Sequence, residues 1–256
     1  MTFRRAVVAG MFALLAAVAS AAAARADQAY AVEGHDVFLD GNRDVRSETV
    51  YRGMQRLTIT RSGRATIYSA LVEYDRAGEG GRQHQRASFS STLLPSGEQR
   101  DGPGNDPDYL TVLNQPFAVQ LDAPTMRDLA HVRRAVPFDF PSPMTGATLH
   151  GTLRRLPDAM VGATRSMGIA FEAKGPLHGA LPDRPAMQLA GTITMTGTAY
   201  YAYGSALLLA LDATLAIEGA LDDTEHRSPV SIVYTRSIHS AEGREAARIV
   251  PVPRRT

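Results

Sequence analysis

The chain has 256 residues, 44% of them hydrophobic and 21% charged, an ordinary globular composition that excludes a disordered or coiled-coil protein. It contains no cysteine, which rules out disulfides, thiolate metal sites, cysteine nucleophiles and a lipid-modified N-terminal cysteine. A formal charge of +1 gives no electrostatic reason to expect nucleic acid or an anionic membrane as partner.

Residues 1–26 read as a secretory signal peptide. Arg4 and Arg5 precede an apolar run from Ala6 to Ala19, and Ala24-Arg25-Ala26 places small residues where a signal peptidase reads. Cleavage is expected after Ala26, leaving 24 basic residues against 26 acidic ones, about −2 overall. No later segment reaches the roughly 18 apolar residues that span a bilayer. The expected product is a periplasmic or secreted protein with no transmembrane segment.

The rest reads as one β-rich domain over 27–240, with halves at about 47–121 and 146–240 joined through 124–143 and a flexible tail at 241–256. Asp27 to Arg46 is polar and turn-rich and suggests loosely attached structure. Val50, Met54, Leu57 and Ile59 suggest a strand bent or bulged at Gly53. Arg64–Asp75 alternates with period two and predicts its hairpin partner. Gly78–Gln85 reads as a loop, Arg86–Leu94 as a third strand, and Pro95–Asp108 as an exposed loop. Phe117, Val119 and Leu121 mark a short strand. Pro124–Arg134 then carries Met126, Leu129, Ala130 and Arg133 at helical spacing, with Pro124 suited to the first turn. Val136–Pro143 holds three prolines and must be extended, pinned by Phe138 and Phe140.

The second half is plainer β text. Ala147–Arg155 and Thr164–Ala173 are strands with Leu149, Leu153, Met167, Ile169 and Phe171 inward. Gly175–Pro185 reads as a loop. Gly191–Tyr203 puts Ile193, Met195, Ala199, Tyr201 and Tyr203 on one face. After a Gly204-Ser205 turn, Ala206–Glu218 puts Leu207, Leu209, Leu211, Ala213, Leu215 and Ile217 on one face, and Val230–Ile238 closes the series. Thirteen residues of strand span about 43 Å, whereas a helix of about eleven residues is roughly 16 Å long. The helix cannot cover such a sheet. A second sheet, loops or a bound apolar molecule must cover the rest.

Signatures of chemistry are missing. None of the seven histidines falls in H-x-H or H-E-x-x-H spacing, so no metal site is read. Asp40-Gly41-Asn42-Arg43-Asp44 opens like a calcium loop, but Val45 stands where glycine is required and Tyr51 where the bidentate acid belongs. There is no G-x-S-x-G elbow and no glycine-rich phosphate loop, so no catalytic residue and no cofactor is assigned. Tyr200, Tyr201 and Tyr203 are read as sheet packing before a ligand-stacking wall.

The run Gly197-Thr-Ala-Tyr-Tyr-Ala-Tyr-Gly204-Ser-Ala-Leu-Leu-Leu-Ala-Leu-Asp resembles a hairpin of the half-barrel lipoprotein carriers of the LolA/LolB type and of related secreted bacterial proteins. The resemblance spans about 40 residues, from Gly191 to Leu221 and the strand that follows. It implies a curved sheet over a helix and a lipid or lipopeptide cavity, and it transfers no individual residue. The expected fold is therefore α+β, mainly β: a long curved antiparallel sheet, half-barrel or barrel-like, with one short helix packed on it. The leading functional expectation is a non-enzymatic envelope protein binding an apolar ligand. Met195, Tyr201, Leu207, Leu209, Leu211, Leu215 and Ile217 would line its cavity, with Met126 and Leu129 as lid. The alternatives are an interaction module with a closed core, its partner an envelope protein, and a hydrolase with a nonstandard site.

Overall fold

The structure is a computed structural model and describes residues 25–62, 65–94, 99–101, 123–132, 134–141, 148–181, 184–203, 205, 207–222, 226–242 and 245–252. The chain forms β1 (Arg25–Leu39), β2 (Val45–Ser62), β3 (Ala65–Gly78), β4 (Gly81–Leu93) and β5 (Gln99–Asp101). Helix α1 (Ala123–His131) follows, then β6 (Val136–Pro141), β7 (Thr148–Arg155), β8 (Ala159–Val161), β9 (Thr164–Leu181) and β10 (Arg184–Ala202). The series ends with β11 (Leu208–Asp222), β12 (Arg227–Glu242), β13 (Glu245–Ala246) and β14 (Ile249–Pro251). The mainly-β curved antiparallel sheet expected from the sequence is what forms. The short strand expected at Phe117–Leu121 and residues 1–24 of the leader expected over 1–26 lie outside the described residues, while Arg25 and Ala26 open β1 in pairing with β2.

One sheet runs in the order β14-β8-β9-β10-β11-β12-β1-β2-β3-β4-β5, with β7 also on β9 and β6 on β7. It consists of two meanders, β1–β5 and β6–β12, joined where β1 pairs with β12. The segment expected to be loosely attached is therefore the central strand, with Tyr30 and Val32 fully buried. Its alternation is hidden in the sequence because two of its inward positions are Gly34 and Asp36, not apolar residues.

Other boundaries move outward. The stretches expected as loops at 78–85 and 175–185 are largely strand, as β4 begins at Gly81, β9 runs on to Leu181 and β10 starts at Arg184. Long antiparallel neighbours satisfy the backbone of these polar ends, so weak side-chain patterning does not end the strand. In the segment expected to fray, β13 pairs with β12 and β14 with β8. The bulge expected at Gly53 does not form: β2 keeps its register with both neighbours there. Gly53 instead serves close approach, since a Cβ would lie 2.5 Å from that of Tyr74. The extended conformation expected over 136–143 forms in β6 as far as Pro141, with Phe140 fully buried, 4.8 Å from Phe138 and 6.2 Å from Phe171 between ring centroids, and residues 142–143 lie outside the described residues.

The inner face covers itself. Residues of β2–β4 and of β7, β9 and β10 belong to one contiguous buried cluster, together with Met126 and Leu129 of α1. From β3 to β10 is five strand-to-strand steps, about 24 Å if the sheet were flat. Yet Tyr68 of β3 packs against the same buried cluster that contains Tyr201 of β10. The sheet curls around this cluster without closing, and α1 packs beside β7.

Candidate functional site

Pairing register fixes which side chains share the inner face. One row across the strands reads Gly197, Ala213, Arg236, Gly34, Tyr51, Arg76. A neighbouring row holds Ala199, Leu211, Ile238, Val32, Gly53 and Tyr74.

The expected cavity lining separates into two groups. Met195, Tyr201, Leu211, Leu215 and Ile217 lie on the inner face with Met126 and Leu129, and none of the seven is more than 7% exposed. The covering atoms are the protein's own. Leu207 and Leu209 do not belong there. A register shift between Tyr200 and Tyr201 puts Leu208 opposite Tyr201 and on the inner face. Leu207 and Leu209 turn to a second, smaller cluster with Val161, Ala202, Ala210, Ala247, Tyr200 and Ile249. Strict alternation from Leu207 fails because the bulge adds one residue and inverts the faces before it. The three clustered tyrosines likewise part: Tyr201 is inside, Tyr200 in the second cluster, and Tyr203 in the exposed turn.

Two polar features on the inner face were not anticipated. The first is Arg236, whose side chain is 0% exposed. Its guanidinium pairs with Asp36, donates to the Thr235 carbonyl at 2.8 Å, and lies 5.1 Å from the Tyr51 ring centroid and 5.6 Å from that of Tyr234. The Tyr51 hydroxyl also donates to Asp36, at 2.8 Å. The glycine at position 34, directly between Arg236 and Tyr51, leaves room for both side chains. The only signal in sequence was Arg236, at a position that the alternation of Val230–Ile238 assigns to the inside.

The second is a neutral polar group around Gln55. Tyr30, its cross-strand neighbour, donates to the Leu208 carbonyl at 2.7 Å. Burial, reinforced by Tyr68, pushes the Tyr30 phenol far above its usual range, and burial together with Tyr30 and Tyr68 does the same to Tyr201. Gln55 itself is fully buried, and neither Oε1 nor Nε2 has a hydrogen-bond partner among the described residues.

The outer face carries an open saddle of about 560 Å³ across β10, β11, β12, β1 and β2. Thr196, Thr214 and Thr235 form its hydroxyl row, flanked by Glu33, His35, Glu48, Arg52, Asp212 and Ser237. Its charges are paired across strands. Arg52 meets Glu33 at 3.1 Å, and His35 meets Glu48 at 2.6 Å. Asp212 accepts from Ser237 at 2.7 Å and lies 3.1 Å from His239 Nε2. Burial alone would raise the Asp212 carboxyl, but these two bonds outweigh it and hold the pKa below the usual range. A serine, an acid and a histidine thus meet, but in the wrong order for nucleophilic catalysis. The serine hydroxyl donates to the carboxylate, and no bond to the imidazole draws off its proton.

A third cluster organises the edge near α1. Asp158 accepts from Tyr203 at 2.7 Å, Arg165 at 2.7 Å and Arg155 at 3.0 Å. Arg155 also donates to the Ala130 carbonyl, tying down the end of α1. The calcium-like loop is a turn: Asp40 Oδ1 accepts the Asn42 and Asp44 N–H groups at 2.8 and 3.0 Å. His35 and Asp36 project to opposite faces and cannot share an ion.

No protein-family model matches this chain, and no curated protein matches it.

Proposed function

We propose that the protein is an exported, non-enzymatic binding module of the cell envelope, with a closed core and the β10–β2 saddle as its partner surface. One observation carries the reading. The apolar face that would make a carrier is covered by the chain's own side chains, whereas the saddle is open and carries charged and hydroxyl side chains around the exposed Val50. The leader-like residues 1–26 support export. The Ser237–Asp212–His239 connectivity weighs against a hydrolase.

A photo-crosslinking residue at Thr214 in the saddle, compared with one at Thr152 on β7, tests this in intact cells. A discrete adduct from position 214 alone is expected. Equal labelling from both positions, or from neither, would reject the saddle as partner surface.

The apolar-ligand reading keeps one specific observation in its favour, the buried and unsatisfied Gln55 amide on the inner face. The likeness to half-barrel carriers supports it at the level of architecture.

A further inference from the structure

Past β12 the chain crosses one end of the sheet as a strap. β13 folds back onto β12, and β14 adds to the outer edge of β8 with three residue pairs, Ile249 on Val161, Val250 on Met160 and Pro251 on Ala159. Three further backbone bonds hold the strap. Ala247 N–H donates to the Ser240 carbonyl at 2.8 Å, Gly162 N–H to the Arg248 carbonyl at 3.0 Å, and Val252 N–H to the Asp158 carbonyl at 3.0 Å. From β8 to β12 is four strand-to-strand steps, about 19 Å in a flat sheet. The adjacent residues Ala247 and Arg248 nevertheless bond one to β12 and the other to the residue that follows β8.

The strap covers an apolar strip built by other elements. Val161 of β8, Ala202 of β10, and Leu209 and Ala210 of β11 are buried there, with Tyr200 and Leu207 half-buried at its margin. The strap itself adds only Ala247 and Ile249 to the cluster, while Val250 is 55% exposed. Beneath it lies the outer edge of β8, which no other described strand pairs on that side. An unpaired strand edge beside an apolar strip is what strand addition requires: main-chain bonds supply affinity, and pockets for alternate side chains supply selectivity. The strap displays the chemistry that fits. It is an extended chain with a small residue and a branched aliphatic one two positions on, both inward, and the residues between and after them, Arg248 and Val250, exposed. A charge at either inward position would be desolvated without a partner.

The hold is light. Two pairs in β13, three in β14 and two inward side chains are few contacts, and segments so held open at a fraction of the free energy that unfolds the ladder beneath them. A tethered segment competes at high effective concentration, so a peptide from outside gains the site only as the strap lifts.

We propose that residues 245–252 are an autoinhibitory occupant of a strand-addition site on β8, which takes in their place an extended peptide of another protein bearing a small and a branched aliphatic residue at alternate positions. This site shares no lining residue with the β10–β2 saddle and does not rest on that reading.

The test uses the purified full chain and a fluorescein-labelled peptide with the strap's own sequence, Glu-Ala-Ala-Arg-Ile-Val-Pro-Val, read by anisotropy. Ile249→Asp puts a charge against the apolar strip and so releases the strap. It is expected to bind the peptide about tenfold more tightly than wild type. Adding Val161→Asp to that variant is expected to abolish binding, and a peptide with Asp in place of its Ile is expected to bind neither form. An Ile249→Asp protein that keeps its sheet circular dichroism yet binds no more tightly than wild type overturns the site, as does binding that survives Val161→Asp. Amide exchange in wild type decides the matter if the variant fails to fold. The Gly162 and Val252 amides are expected to exchange about a hundredfold faster than the β11–β12 ladder. Exchange at the rate of that ladder makes the strap part of the cooperative sheet and overturns the proposal.

Discussion

Removing the carboxylate of Asp36 tests whether the two meanders are locked together by the buried ion pair. Asp36 lies on β1 and Arg236 on β12, the two strands through which β1–β5 and β6–β12 meet. The arginine side chain is 0% exposed and the aspartate 14%. Asp36→Ala therefore strands a guanidinium between the Tyr51 and Tyr234 rings and also strips the Tyr51 hydroxyl of its acceptor. Breaking a buried pair from one side costs about 3–5 kcal/mol, most of it from the uncompensated charge. For a chain of this size that corresponds to a fall in Tm of roughly 6–20 °C. The double variant Asp36→Leu/Arg236→Met removes both charges and fills similar volume, and should return to within about 1 kcal/mol of wild type. Urea unfolding of wild type, both single variants and the double variant gives the cycle. A single variant within about 1 kcal/mol of wild type, or a double variant no better than the single, would refute the idea that burial makes this pair consequential.

Three further outcomes follow from the same geometry. Gly197→Ala should destabilise by about 1–3 kcal/mol, because a Cβ there would lie 2.2 Å from the Asp212 carbonyl oxygen and 2.5 Å from Phe171 Cζ; Phe171→Leu in the same chain should recover only the part due to the ring in a urea melt. Leu129→Ala should cost about 2–4 kcal/mol of local stability, read as faster amide exchange in α1 with β1 and β12 unchanged; global acceleration would mean that α1 is part of the cooperative core. The Asp212 carboxyl has a lowered pKa in the folded state, so its contribution is present above the unfolded value of about 3.9 and is lost as pH falls through the folded value. The urea midpoint of wild type should therefore fall more steeply than that of Asp212→Asn between pH 5 and pH 2.5.

The sequence discloses this fold wherever inward positions are apolar, and loses it where they are not. Ile193, Met195 and Ala199 were readable because alternation on β10 is unbroken up to the bulge. The central strand β1 was not, since Gly34 and Asp36 occupy inward positions to accommodate Arg236 from a strand 200 residues away. That partnership is tertiary, and no local pattern encodes it. Leu207 and Leu209 were misplaced for a related reason: a one-residue bulge is invisible to periodicity yet exchanges every face before it. Among candidate sites, the saddle could not be found from sequence. Its lining comes from five strands drawn from both ends of the chain, and Thr, Ser, Glu and His at outward positions look like any solvated sheet surface.

Among the described residues, the helix brings only Met126 and Leu129 to the buried cluster, and the rest of that cluster comes from the sheet's own strands. Self-coverage requires long strands to coil tightly, and tight coiling requires inward positions without side chains. Gly191 faces Gly219 directly across β10 and β11, where a Cβ on the first would lie 2.6 Å from the second's Cα. Gly197 takes the Phe171 ring and Gly53 takes Tyr74. At both aromatic positions a ring from the next strand refills the space the missing side chain leaves, so curvature is gained without a void. The apolar ribbons that suggested a carrier are thus also what an open sheet needs in order to curl over its own inner face. A ligand role must then rest on a feature that self-coverage does not explain, and on this inner face the unsatisfied Gln55 amide is such a feature.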